Sequence, residues 1–79
     1  MQIDELNKIE INRISMPMFD IGIPQMILFE HFIDNTTLGQ WMINNNLQMS
    51  YTMSSVDNSM VIYGYMDNNK TMEFQLKFG

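Results

Sequence analysis

The sequence predicts a small α+β domain, with two short helices packed on a three-stranded antiparallel β-meander and residues 9–14 as a candidate fourth strand. Three observations lead there. Leu47, Met49, Tyr51 and Met53 alternate with polar residues, and so do Met72, Phe74, Leu76 and Phe78. Side chains on a strand alternate between faces, so each stretch suits a strand with one buried face. Between them, Met60-Val61-Ile62-Tyr63 is apolar on both parities, as expected of a central strand covered on both sides. Residues 24–46 instead carry helical apolar spacing between Pro24 and Asn44-Asn45-Asn46.

With 79 residues, one domain and one small core are expected. It divides into an N-terminal segment (1–23), two short helices (24–46) and the meander (47–79). In the first region, Ile3, Leu6, Ile9 and Ile14 have near-helical spacing, and Asp4 and Glu5 suit a first helical turn. Lys8 to Asn12 also alternates as a strand would. A short helix grading into an extended piece by Ile11 reconciles the two patterns. Pro17 excludes helix interior for Ser15 to Met18, and Gly22 and Pro24 mark a second break.

Pro24 suits the first position of a helix, where its missing N–H costs nothing. Met26, Phe29 and Ile33 then form one stripe, with Leu28 and Phe32 beside it. After Asp34-Asn35, Thr36 or Thr37 can cap a second helix from Leu38 to Ile43, where Leu38, Trp41 and Met42 share a face. Gly39 weakens that helix by about 1 kcal/mol of propensity. The three asparagines suit its exit, because asparagine tolerates the left-handed conformation.

Parity registers the strands. A two-residue turn at Asn68-Asn69 would set Tyr65 opposite Met72 and Tyr63 opposite Phe74. A two-residue loop at Asp57-Asn58 would set Met53 against Ile62 and Tyr51 against Gly64. A three-residue loop, with an asparagine at positive φ, moves Met53 and Tyr51 to the tyrosine face. This register gives one consistent buried face. The opposite face is polar except for a stripe of Met60, Ile62 and Met66, which the N-terminal segment or a second copy of the chain would cover.

Chemistry is sparse. No cysteine is present, so disulfides and thiolate metal sites are excluded. His31 is the single histidine. A metal would need further ligands from scattered carboxylates, and a general base would need a nucleophile and an orienting partner. A surface histidine loosely paired with Asp34 is the simpler expectation. No serine lies in a G-x-S-x-G context, and the glycines form no phosphate loop. No catalytic residue, metal or cofactor is expected, and the chain is not expected to be an enzyme.

The net charge of −5 is concentrated in residues 1–34, where six acids face Lys8 and Arg13. Four basic residues in the whole chain give little purchase on phosphates, so nucleic acid is not an expected partner. The acidic half suits a basic protein surface. The M-P-M-F segment with Met16, Met18 and Phe19 must dock on the sheet or meet a partner. No apolar run reaches the roughly 20 residues of a membrane span, and the acidic start is unlike a signal peptide, so a cytoplasmic location is the default. Abundant Asn, Ile and Met, no alanine and a single arginine resemble AT-rich coding, as in phages and low-GC bacteria.

The leading expectation is therefore a non-enzymatic acidic interaction factor of a phage or mobile element, acting on a protein in the host cytoplasm. Its candidate contact residues are Met16, Met18, Phe19, Met60, Ile62, Met66, Asp4, Glu5 and Glu10. A homodimer through the Met60/Ile62/Met66 stripe is a further option. Single-stranded nucleic acid on the tyrosine face and a structural subunit of a larger assembly are the alternatives.

Overall fold

A computed structural model of the chain describes residues 6–15 and 25–79. Its elements are β1 (Asn7–Ser15), α1 (Gln25–Asn35), α2 (Thr37–Asn44), β2 (Gln48–Ser54), β3 (Ser59–Met66) and α3 (Asn68–Phe78). The architecture is mixed α/β, an open three-stranded antiparallel sheet with three helices among the described residues. The strand order is β1-β3-β2, so β3 is central and both of its edges are paired.

That order corrects the meander. Residues 70–78 were expected as its third strand, hairpinned to β3 through Asn68-Asn69, but they form α3. The edge of β3 that such a strand would need is occupied by β1, whose pairing runs from Asn7↔Met66 to Ser15↔Ser59. Asp67 starts α3 instead, its side chain accepting a 2.8 Å hydrogen bond from the Lys70 backbone N–H. Such a cap satisfies a donor that the first helical turn leaves without a partner. The expected short helix is corrected over residues 7–10, which are strand, while the extended piece from Ile11 and the candidate strand over 9–14 are found within β1. Residues 3–5 lie outside the described residues.

The β2–β3 register also differs from expectation. The loop has four residues, Ser55 to Asn58, between the paired Ser54 and Ser59. Asn58 takes positive φ at 53°, as a turn asparagine can. One residue more in the loop turns every side chain of β2 to the other face. Met53 therefore stands opposite Met60 and Tyr51 opposite Ile62, not opposite the valine–tyrosine row of β3.

The buried face is consequently the Met60/Ile62/Met66 face. Phe32 of α1 packs with Met60 and Ile62, joined by Ile11, Ile14 and Tyr51 at the margins. Trp41 and Met42 of α2 pack with Met66, with Phe74 and Phe78 of α3 against them. Met42, Met60, Ile62 and Met66 have no exposed surface. Unbranched methionines suit this irregular junction of helix ends and sheet, because they adapt to its shape.

Helices α1 and α2 fall close to their expected limits. Thr36 caps α2, accepting from the Gly39 backbone N–H at 2.9 Å and donating to the Phe32 carbonyl at 2.7 Å. Asn46, with φ of 55°, ends the exit turn. On α1, Phe32 is buried and Leu28, Phe29 and Ile33 are half-buried, but Met26 is exposed, which corrects its place in the apolar stripe.

Candidate interaction surfaces

Three surfaces stand out: the sheet face away from the core, the outward side of α1 and the outward side of α3.

The first carries Lys8, Glu10 and Arg13 from β1, Val61, Tyr63 and Tyr65 from β3, and Gln48, Ser50 and Thr52 from β2. A bulge between Glu10 and Asn12 shapes it. On a regular strand, residues three apart point to opposite faces. The extra residue brings Glu10 and Arg13 to the same face, opposite Tyr63 and Val61 respectively. The Arg13 guanidinium then donates to both Glu10 carboxylate oxygens, at 2.9 and 3.3 Å, and to Asp57 Oδ2 at 2.6 Å.

These contacts set the charge states. The hydrogen bond from Arg13 holds the Glu10 carboxyl below its ordinary value. At Asp57 partial desolvation pushes upward, but hydroxyl hydrogen bonds from Ser59 and Ser54 and the charge of Arg13 outweigh it, and the net direction is down. The hydrogen bond to Glu10 leads in raising Arg13, which stays a cation. Beside this cluster, Lys8 Nζ stands 4.4 Å from the Tyr63 ring centroid and Tyr65 shares a 2.9 Å hydrogen bond with Ser50. Val61, on this face, is 2 % exposed and belongs to neither core cluster.

The tyrosines were expected to pack against the helices. Tyr51 does face Phe29 of α1, with ring centroids 5.0 Å apart. Tyr63 and Tyr65 lie half-buried on the other face, the consequence of the four-residue loop.

The outward side of α1 carries Met26, Glu30 and Asp34 at successive i,i+4 positions, with Ile27 and His31 alongside. All five are exposed. Among the described residues neither carboxylate has an ion-pair partner. His31 Nδ1 meets the Asn35 side chain at 3.1 Å, so its hydrogen-bond partner is Asn35 and not the expected Asp34.

The outward side of α3 carries Met72 and Leu76, 62 % and 85 % exposed. The inward side places Phe74 and Phe78 on Trp41, with centroids at 6.3 and 5.6 Å. Strand-like alternation hid this arrangement. Wound at about 100° per residue, positions two apart point roughly 200° apart, so an alternating apolar set splits between opposite sides of a helix. The available signal was Asp67 as a helix cap, with the helix formers Lys70, Met72, Glu73, Gln75, Leu76 and Lys77 after it.

Of the expected contact residues, Met60, Ile62 and Met66 are wholly buried beneath the chain's own helices and β1. This corrects their reading as a surface stripe, and with it the dimer through that stripe. Glu10 is exposed but held by Arg13. Asp4, Glu5, Met16, Met18 and Phe19 lie outside the described residues. Among the described residues no three His, Asp or Glu side chains gather as metal ligands, and no helix is long and apolar enough to cross a membrane. No family model matches the chain, and neither the curated proteins nor the solved structures contain a significant match to it.

Proposed function

We propose that the chain is a non-enzymatic, acidic protein-interaction factor, an accessory protein of a phage or mobile element that binds and inhibits or redirects a host protein. The outward side of α1 carries this reading. Met26 and Ile27 are 59 % and 55 % exposed, and Glu30 and Asp34 continue the same surface with carboxylates that have no ion-pair partner among the described residues. An apolar anchor beside exposed negative charge suits a basic surface with an apolar socket. The overall charge of −5 steers encounter in the same sense. The cytoplasm of the host is the compartment such a role requires.

The test is affinity capture from host lysate with wild-type bait and with Met26→Glu/Ile27→Glu bait. A basic protein retained by wild type, released by added salt and lost from the double variant is expected. Capture that the double variant leaves unchanged would overturn the assignment to α1.

A second reading draws on the position of Tyr63 and Tyr65 away from the helices, with Lys8 over Tyr63. Aromatic rings on an open sheet face can stack unpaired bases. Arg13 is tied to two carboxylates, which leaves Lys8 as the cation of that face with no acidic partner among the described residues. A salt-sensitive shift of labelled single-stranded DNA or RNA, abolished by Tyr63→Ala, would favour this reading over protein binding.

A further inference from the structure

Among the described residues, helix α3 is held from one side only. Phe74 and Phe78 close over Trp41, Lys70 Nζ donates to Asn45 at 2.8 Å, and Asn7 donates to Asn68 and Thr71 at 3.0 Å. On the other side Met72 and Leu76, one turn apart, remain in solvent. Two bulky apolar side chains stacked on the outside of an already docked helix contribute nothing to the core described above.

The flank of this stripe indicates what covers it. Glu73 and Lys77 each follow one of the two apolar residues by one position, so they lie together on the same side of the stripe, one turn apart. Their charges are opposite. Lys77 has no ion-pair partner among the described residues, and Glu73 has one exposed contact, to Lys70 at 3.2 Å. This pattern is complementary to itself when reversed. A two-fold axis through the middle of the stripe, relating antiparallel helices, sets Met72 against the partner's Leu76. The same operation sets Glu73 beside the partner's Lys77 and Lys77 beside the partner's Glu73. A parallel two-fold pairing would instead put the two Glu73/Lys77 flanks on opposite sides of the stripe, where the charges do not meet. Two-fold interfaces require this kind of self-complementarity, with each residue meeting its counterpart's complement.

We propose that the outward side of α3 is a homodimer interface, occupied by the α3 of a second copy in antiparallel orientation. It uses residues distinct from those of α1, so a chain that captures no host protein can still pair through α3, and the two ideas fail separately. The apolar contact is small and flanked by exposed charges, which places the dimer in the weak, concentration-dependent class.

Sedimentation velocity on the full chain, from about 10 μM to about 1 mM, tests the proposal. Wild type is expected to shift from monomer to dimer within that range, and Leu76→Glu to weaken association by about tenfold or more. Glu73→Lys and Lys77→Glu each weaken it severalfold, while the double variant Glu73→Lys/Lys77→Glu returns it to within about threefold of wild type. Circular dichroism confirms that each variant keeps its helices. Met72→Gln serves as the apolar variant if Leu76→Glu loses them. A monomer at every concentration would overturn the proposal. So would a dimer indifferent to positions 72 and 76, or charge reversals that fail to rescue one another.

Discussion

Gly39 approaches Ile33 so closely that a Cβ on the glycine would stand 2.7 Å from the Ile33 Cα and 2.7 Å from the Phe32 carbonyl oxygen. Both are backbone atoms and cannot swing aside. The residue that weakens α2 by propensity is therefore what lets α2 fold back against the end of α1. Gly39→Ala is expected to lower stability by up to about 2 kcal/mol net, because an overpacking cost of about 1–3 kcal/mol is offset by the roughly 1 kcal/mol gained in helix propensity. Urea denaturation at fixed protein concentration measures it. A stabilised variant would show that the two helices are not in this contact.

Asp67 decides where β3 ends and α3 begins. Its side chain accepts from the Lys70 N–H, while Thr71 Oγ1 donates to the Asp67 carbonyl at 2.7 Å. Asp67→Ala is expected to cost about 0.5–2 kcal/mol and to reduce helical circular dichroism. Asp67→Asn, which can make the same cap, should stay close to wild type. Equal effects of the two substitutions would indicate that the cap does not form.

Acid should loosen the tie between β1 and the β2–β3 loop. Glu10 and Asp57 both titrate below their ordinary values of 4.5 and 3.8 in the fold. A depressed carboxyl pKa contributes stability that is present above the unfolded-state value and lost as pH falls through the folded-state value. Arg13 stays charged throughout, so the loss begins near the ordinary carboxylate range and is complete below the lowered values. Both carboxylates are exposed, which keeps the effect small. The melting temperature of Glu10→Gln/Asp57→Asn should accordingly fall less between neutral and acidic pH than that of wild type. Parallel curves for the two proteins would exclude a role for this cluster.

Legibility was uneven along the chain, for physical reasons that differ by element. The pair α1 and α2 could be read because their boundary signals are local: Thr36 caps through its own hydroxyl, and Asn46 supplies the left-handed exit. The central place of β3 could be read because Val61 and Ile62 must be apolar on opposite faces in any register. The face of β2 could not. It depends on whether three or four residues form the loop before Ser59, and the positive φ of Asn58 fits either count. The candidate surfaces inherited that ambiguity. A one-residue slip exchanged the roles of the Met60/Ile62/Met66 row and the Tyr63/Tyr65 row, so residues expected as surface became core.

Residues 71–78 mark the limit most clearly. Met72, Phe74, Leu76 and Phe78 fit a half-buried strand, and Asp67 with the following helix formers fits a helix. Eight residues are too few for periodicity alone to arbitrate. By itself the sequence determined the α+β content, the central strand, the two capped helices and the excess of negative charge, all set by side-chain chemistry over short range. Only the tertiary structure decided which segment completes the sheet. With β2 on one edge of β3 and β1 on the other, β3 has no free edge left for a hairpin with the segment that follows it, and that segment satisfies its backbone internally as a helix. That exclusion also turned Met72 and Leu76 to solvent.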